Sequence, residues 1–69
     1  MISKTIKMIL VYKEMNISSL ADKLETSRPN LSQKFKRDNF SEKEMQEIAD
    51  ALNCDLKINF VDRSTGKEF

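Results

Sequence analysis

Two helical segments that lie close together, each with its own start signal, constrain this fold more than any other feature. Both fall in the stretch NISSLADKLETSRPNLSQKFKR, residues 16–37. Asn16 is a good N-cap, because its side-chain oxygen can accept a hydrogen bond from a free backbone N–H one turn along the chain. The second segment starts at Ser27, another N-cap, or at Arg28, because Pro29 suits a first turn and disfavours the α region for the residue before it. The sequence therefore predicts two short helices joined by a tight turn.

Each of these two helices has one narrow apolar face. In the first, Leu20, Ala21 and Leu24 recur at helical spacing, and the small Ala21 allows another helix to cross closely. In the second, Leu31 and Phe35 lie four residues apart and are expected to face inward. The polar residues left for the outside of the second helix are Arg28, Asn30, Gln33, Lys34 and Arg37. The pair has the outline of a helix-turn-helix.

A further amphipathic helix is predicted before this pair, over residues 3–14, with Ser3 as a possible cap. Ile6, Ile9 and Leu10 recur at i, i+3 and i+4. The same apolar face is widened by three further residues, which we interpret as core or supporting positions: Met8, Val11 and Tyr12.

A fourth helix is predicted after the pair from a strong local signal. Ser41 and Glu44 have the spacing of a capping box, and Phe40 and Met45 that of a hydrophobic staple around it. Asn53 can adopt the left-handed conformation that ends a helix. The inward positions of this helix are Met45, Ile48, Ala49 and Leu52.

The apolar pattern changes to a period of two after residue 54, which predicts a strand between Asp55 and Asp62. Residues 62–66 supply a turn, and residues 67–69 could return as a short second strand. A lone hairpin with an open edge is marginal in water, so we expect it to pair with its own copy across a two-fold axis. The alternative is that it packs on its own helices. The expected dimer contacts are Leu56, Ile58, Phe60 and Val61.

The predicted fold is therefore mainly α, with four helices in residues 1–53 and a short C-terminal β-strand or hairpin in residues 54–69. A chain of 69 residues has room for one domain and buries only about 60% of its unfolded surface, so a partner subunit would add needed stability.

Charge is distributed unevenly along the chain, although the formal net charge is only +1. Residues 1–40 hold eight cations and four anions, whereas residues 41–69 hold four cations and seven anions. The basic half contains the predicted helix-turn-helix, which favours contact between that half and a polyanion.

The residue types present argue against several other classes of function. The single cysteine, Cys54, has no histidine to accompany it, so we expect no metal site, no cofactor and no enzymatic activity. So short a chain implies no cleft for a small-molecule ligand. The apolar run over residues 8–12 is too short for a signal-peptide core or a membrane span. We therefore expect a cytoplasmic protein that contacts no membrane.

The segment LADKLETSRPNLSQKF, residues 20–35, resembles the helix-turn-helix of the Cro and phage-repressor type, the XRE-like group. The resemblance rests on Leu20-Ala21, Leu24, the turn at Thr26-Ser27, Leu31 and the later IADALN, and it spans roughly residues 6–52. It implies a lambda-repressor-like fold and a transcriptional repressor that binds a two-fold site on double-stranded DNA as a homodimer.

The resemblance also implies which residues meet the DNA. Bases would be contacted by Arg28, Pro29, Ser32 and Gln33. Arginine can donate two hydrogen bonds to guanine, and Asn30 or Gln33 can pair with adenine if they face the groove. Phosphates would be contacted by Asn16, Ser18, Ser19, Ser27, Asn30, Lys34, Lys36 and Arg37. The alternative for the cations is an ordinary solvated face.

Three positions depart from the family pattern. Glu25 stands where the family often has a turn glycine, and Ile17 stands where a phosphate-contacting glutamine is common. The family often places its last inward apolar residue at the position of Lys34, whereas here that residue is Phe35. An exposed Ile17 and the modest net charge would favour another function, that of a protein-binding helix-turn-helix module such as an antitoxin or a phage inhibitor of a host protein.

Overall fold

Four α-helices follow one another along the chain in a computed structural model that describes residues 2–69. They are α1 (Ile2–Tyr12), α2 (Ile17–Lys23), α3 (Arg28–Arg37) and α4 (Glu42–Ala51). The prediction of a mainly α, four-helix fold is confirmed. None of these helices is long and apolar enough to cross a membrane.

One apolar core joins all four helices. Its most deeply buried side chain is Leu20 of α2, which is 0% exposed. Each helix contributes predicted inward positions to this core. Ile9 and Leu24 are half-buried against it, whereas Met45 is half-buried and is not part of it. The buried apolar residues are Ile6, Leu10, Leu20, Ala21, Leu31, Phe35, Ile48, Ala49 and Leu52.

The start signals that were read from the sequence are present in the structure. Asn16 and Ser27 cap α2 and α3 in extended backbone conformations. At α4 the Ser41 hydroxyl accepts from the Glu44 N–H at 3.1 Å, and the Glu44 carboxylate accepts from the Ser41 N–H at 2.9 Å. The predicted capping box is therefore confirmed, and with it the position at which the last helix begins.

A residue with left-handed backbone conformation follows every helix. Glu14, Glu25 and Asn53 have φ of 56°, and Asp38 has φ of 52°. Helices commonly end this way, most often at glycine, because a side chain with a Cβ is strained at such angles. The predicted left-handed Asn53 is confirmed, whereas the glutamates at two of these positions carry the strain that glycine avoids.

The N-terminal end of α1 is fixed to the C-terminal end of α3. The buried Ser3 hydroxyl donates to the Phe35 carbonyl oxygen at 2.9 Å, and the Ser3 N–H donates to the Asp38 carboxylate at 2.8 Å. The backbone hydrogen bond from Ser3 is the main cause that lowers the pKa of Asp38. The prediction that Ser3 caps α1 is wrong, because Ser3 lies inside the helix and Asp38 accepts from its N–H.

Three apolar residues that were assigned to the core or its support are exposed. Met8, Val11 and Tyr12 all lie on the solvent side of α1, and Tyr12 is 85% exposed. The prediction is wrong because Ile6 and Leu10 alone fill the contact between α1 and the core, with Ile9 packed at its edge.

The C-terminal segment does not form the predicted strand. Residues 55–60 have no regular secondary structure, and a single isolated bridge pairs Val61 with Glu68 in antiparallel orientation. The turn between them forms, with the Gly66 N–H donating to the Asp62 carbonyl at 2.8 Å. The strand prediction fails because a strand requires a hydrogen-bonded neighbour: residues 67–69 pair only with residues 60–62, and residues 55–59 have no backbone partner among the described residues.

The segment over residues 55–69, called here the C-terminal arm, extends away from the helices. The Cα radius of gyration is 13.8 Å, and the molecule measures 44 × 23 × 17 Å along its principal axes. A compact chain of this length would have a radius of gyration of about 11 Å. The difference indicates an elongated molecule, and the exposed apolar side chains of the arm are consistent with that shape.

Candidate nucleic-acid interface

The outer face of α3 is polar and open to solvent, while Leu31 and Phe35 fix the opposite face in the core. Arg28, Pro29 and Gln33 are exposed, and Ser32 is half-buried. All four residues that were expected to contact bases therefore share the accessible part of one helix. A helix of this kind can enter the major groove with its first residues nearest the base edges.

The first turn of α3 depends on its side chains for hydrogen bonding to a ligand. The Ser27 hydroxyl accepts from the Asn30 N–H at 3.2 Å, and Pro29 has no N–H to offer. Few backbone donors therefore remain at this end of the helix. The Arg28 guanidinium, with five N–H groups, is the principal donor there.

The first turn of α2 holds three of the expected phosphate contacts, and the structure separates them. The Asn16 side-chain oxygen accepts from the Ser19 N–H at 2.8 Å and from the Ser19 hydroxyl at 3.0 Å. The Ser19 proton is therefore occupied within the cap. Ser18 is exposed, and its hydroxyl has no partner among the described residues, so Ser18 and the Asn16 amide are the donors available here.

Lys34 is held by an ion pair that connects α3 to α4. Its ammonium group contacts the Glu44 carboxylate, which also accepts from the Ser41 N–H in the capping box. Lys34 above all, and then Ser41, lower the pKa of Glu44 from 4.5 to about 2. The sequence indicated separate functions for these residues, phosphate contact for Lys34 and helix capping for Glu44, and did not reveal their contact.

The other cations at the end of α3 are differently placed. Lys36 and Arg37 are exposed, and neither makes an ion pair within residues 2–69. Lys7 of α1 lies nearby, with its ammonium nitrogen 5.8 Å from the centroid of the Phe35 ring. Lys7 could not be assigned to this site from the sequence, because only the packing of α1 on α3 brings it there. Lys7 lies four residues after Ser3, so it shares the side of α1 that contacts Phe35.

An open groove of about 780 Å³ separates α3 from α4. The polar residues that line it come from three places. α3 and α4 contribute Asn30, Gln33, Lys34, Arg37, Glu44 and Glu47, and the end of α2 with the turn after it contributes Lys23, Glu25 and Thr26. The three cations of its lining (Lys23, Lys34 and Arg37) balance its three carboxylates, and Glu44 is already paired with Lys34. The groove side of α3 is therefore close to neutral and attracts a phosphate less than do Arg28 and Lys36, which make no ion pair among the described residues.

Ile17 was expected to be exposed, and that expectation is wrong. It is half-buried and packs against the core. The position where relatives place a glutamine is therefore used here for apolar packing, and it offers neither a phosphate contact nor an adhesive patch.

The residues that were expected at a dimer interface lie apart from α3. Ile58, Phe60 and Val61 are exposed and Leu56 is half-buried, all in the C-terminal arm. The structure contains one copy of the chain, so their pairing across a two-fold axis stays a prediction.

A pair of short helices in contact, α2 and α3, with the second presenting a polar face beyond a tight turn, defines a helix-turn-helix protein. A family model described as the Cro/C1-type HTH DNA-binding domain matches residues 5–57. The chain belongs to that family, and the resemblance noted in its sequence is confirmed. A search of curated proteins and a search of solved structures found no significant match.

Proposed function

We propose that this protein is a sequence-specific transcriptional repressor of the cytoplasm, which binds a two-fold operator in double-stranded DNA as a homodimer. The observation that carries the proposal is the exposed outer face of α3, with Arg28 and Gln33 on it, in a chain of the Cro/C1-type DNA-binding family. The proposal involves no catalytic step, no metal or cofactor and no small-molecule ligand.

Base recognition in this proposal falls mainly to two side chains. Arg28 donates a pair of hydrogen bonds to guanine O6 and N7, and Gln33 pairs with adenine N6 and N7. Each such contact discriminates against a wrong base by roughly 1–3 kcal/mol. Pro29 offers only apolar contact, suited to a thymine methyl group, and the half-buried Ser32 can add a single hydrogen bond at the edge of the face.

Phosphate contacts position the helix without reading sequence. Lys36 and Arg37 are the cations at the C-terminal end of α3 that make no ion pair within residues 2–69, and Lys7 adds a third at the same end of the helix. Asn16 and Ser18 supply neutral donors from the first turn of α2. Ser19, Ser27 and Lys34 take part less directly, because each already makes a hydrogen bond or an ion pair. Asn30 and Arg37 both line the near-neutral groove, and of the two only Arg37 offers a charge.

The two-fold arrangement makes a geometric prediction about the operator. Recognition helices in successive major grooves are about 34 Å apart, or roughly 10 base pairs. With no ligand-binding part in the proposal, regulation works through occupancy: a bound dimer blocks access of polymerase to the same stretch of DNA.

Selection of bound duplexes from a random pool tests the proposal. The expected product is a palindrome with half-sites about 10 base pairs apart. Arg28→Ala and Gln33→Ala should relax the selected sequence at separate positions while the fold stays intact by circular dichroism. Lys36→Ala is the matched control, since it should weaken binding to every sequence alike. Identical selected sequences from the parent and both recognition variants would refute the assignment.

A protein-binding function is the alternative outcome of the same work. The exposed Ile17 that would have favoured it is packed on the core. Absence of a gel shift with random duplex at low salt and micromolar protein would nevertheless support it, because nonspecific DNA binding is strongest under those conditions.

A further inference from the structure

An apolar patch on α1 has no covering element. Met8, Val11 and Tyr12 recur at i, i+3 and i+4, so they lie on one side of the helix, and all three are more than half exposed. We call them the α1 patch. A contiguous set of large apolar side chains on the surface of a small protein marks an interaction site more often than a lone exposed residue does.

The C-terminal arm also exposes apolar side chains, and its backbone is paired only over residues 60–69. Ile58, Phe60 and Val61 are each more than half exposed. Residues 55–59 make no backbone hydrogen bond to any other described residue. Such a segment is ready to lie along another surface.

We propose that in the homodimer the C-terminal arm of each copy docks on the α1 patch of the other. The inference rests on the homodimer of the proposed function and names the two surfaces that build it. It differs from the pairing of one arm with its twin, because the donor and the acceptor are different parts of the chain, and each copy supplies both.

The arm begins close to the α1 patch of its own copy but leaves that patch uncovered, since Met8, Val11 and Tyr12 all stay exposed. A groove of about 470 Å³ lies between the end of α1 and the end of α4, and it is lined by Tyr12, Met15, Leu52 and Asn53. The arm therefore leaves α4 beside the α1 patch of its own copy. In the proposed dimer the two-fold axis passes near the ends of α1 and α4. Each arm then starts close to the partner's α1 patch and can cross to it.

The exposed area matches what a specific dimer requires. Tyr12 is 85% exposed and Phe60 is 81% exposed, and an aromatic side chain can bury roughly 150–250 Å². Four such rings in a dimer, together with the aliphatic members of patch and arm, reach the range of about 1,200–2,000 Å² that is typical of specific interfaces. A second copy supplies a complementary surface for both the α1 patch and the C-terminal arm, whereas an unrelated partner would need two separate complementary surfaces.

The arrangement leaves DNA recognition unobstructed. Neither the α1 patch nor the arm includes a residue of α2 or α3. Both recognition helices therefore remain exposed when the two copies are joined.

Sedimentation velocity over a range of concentrations tests the inference on the intact chain. Tyr12→Ser removes the centre of the acceptor, and Phe60→Ser removes the centre of the donor. Both side chains are largely exposed, so neither change should unfold the helices. Loss of a central aromatic contact weakens association by about 30-fold or more, and each variant loses two symmetric contacts, so the dissociation constant of the dimer should rise by roughly 1,000-fold. Asn59→Ser, at an exposed polar residue of the same segment, is the matched control and should leave the dimer unchanged.

Mixing the two variants gives the decisive result. A Tyr12→Ser copy retains its arm and a Phe60→Ser copy retains its patch, so an equimolar mixture regains one of the two contacts and should form heterodimers where each variant alone is monomeric. Because the chain has one tyrosine and no tryptophan, tyrosine emission from the Phe60→Ser copy should change on mixing.

Several results would overturn the inference. A Tyr12→Ser variant that dimerises like the parent would show that the α1 patch is not the acceptor of the arm. Failure of the mixture to associate, or a parent that is monomeric throughout, would also reject it. DNA binding, measured on the same samples, separates this inference from the proposed function: a dimer that passes these tests and binds no DNA would refute only the latter.

Discussion

The ion pair between Lys34 and Glu44 leads to a prediction about DNA binding: replacing an acidic residue outside the recognition helix should strengthen it. In the parent, Glu44 holds the Lys34 ammonium group against α4. Glu44→Gln removes the charge but keeps a side-chain oxygen for the Ser41 N–H, so the capping box survives. The released Lys34 is then free to contact a phosphate.

The size of the effect follows from counterion release. Each added phosphate contact steepens the dependence of log K on log salt concentration by about 0.9. A dimer gains two contacts, so the slope should steepen by about 1.8, which is roughly a 12-fold larger loss of affinity between about 50 and 200 mM salt. Lys36→Ala should flatten the slope by a similar amount, because Lys36 has no competing carboxylate in the described structure.

Fluorescence anisotropy with a labelled duplex of random sequence, at several salt concentrations, measures these slopes without knowledge of the operator. Thermal melting of each variant checks that the helices are intact. The double variant Glu44→Gln/Lys34→Ala is the internal control. It should return to the slope of the parent, because the group that was released has also been removed.

Two results would refute this reasoning. An unchanged slope in Glu44→Gln would mean that Lys34 does not reach phosphate even when it is free. If Lys34→Ala in the parent flattens the slope as much as Lys36→Ala does, then Lys34 already contacts DNA and the ion pair does not restrain it.

Three further predictions concern stability. The pKa of Glu44 is lowered from 4.5 to about 2, so its contribution is complete above pH 4.5 and is lost as the pH falls toward 2; Glu44→Gln should make the urea midpoint less dependent on pH over that interval. Glu25→Gly relieves a positive φ and should raise the free energy of unfolding by about 1 kcal/mol, as measured by urea unfolding; an equal gain from Ser18→Gly would contradict the backbone explanation. Leu20→Ala should lower the free energy of unfolding by about 2–5 kcal/mol, visible as lost helicity by circular dichroism, whereas Ser18→Ala should change it little.

The features that sequence reasoning predicted correctly are local ones. The caps at Asn16, Ser27 and Ser41 are confirmed, because each is a hydrogen bond between a side chain and a backbone N–H within one turn. The inward positions Leu31 and Phe35 are confirmed for a similar reason, since helical spacing alone decides which residues share a face.

The width of an apolar face could not be predicted in the same way. Spacing shows that Met8, Val11 and Tyr12 lie on related sides of α1, but the neighbouring helices decide how much of that surface is covered. Only one further chain segment, α3, fixes the start of α1, through Ser3 and Asp38. The sequence shows apolar residues, whereas coverage is a property of the packed molecule.

The error in the C-terminal segment has a related cause. Alternation over residues 55–61 indicates an extended backbone with one apolar side, and the segment is extended and largely exposed in the structure. A strand additionally needs a hydrogen-bonding neighbour, and residues 2–69 provide one only at the bridge between Val61 and Glu68. The alternating residues 55–59 therefore lack the neighbouring strand that a second copy could supply.

The acidic residues of α4 bear on specificity under the proposed function. Phosphate contacts strengthen binding to every sequence alike, whereas Arg28 and Gln33 strengthen binding only to the correct one. Glu44 pairs with Lys34 of α3 and so makes this cation less available to a phosphate. The acidic residues of α4 therefore lower the affinity for all DNA sequences and leave the discrimination by Arg28 and Gln33 unchanged. Because the genome offers a vast excess of competing sites, the ratio of specific to nonspecific affinity decides where the protein binds. A recognition helix with fewer phosphate contacts loses affinity for both kinds of site alike, so under the proposed function that ratio is set by Arg28 and Gln33.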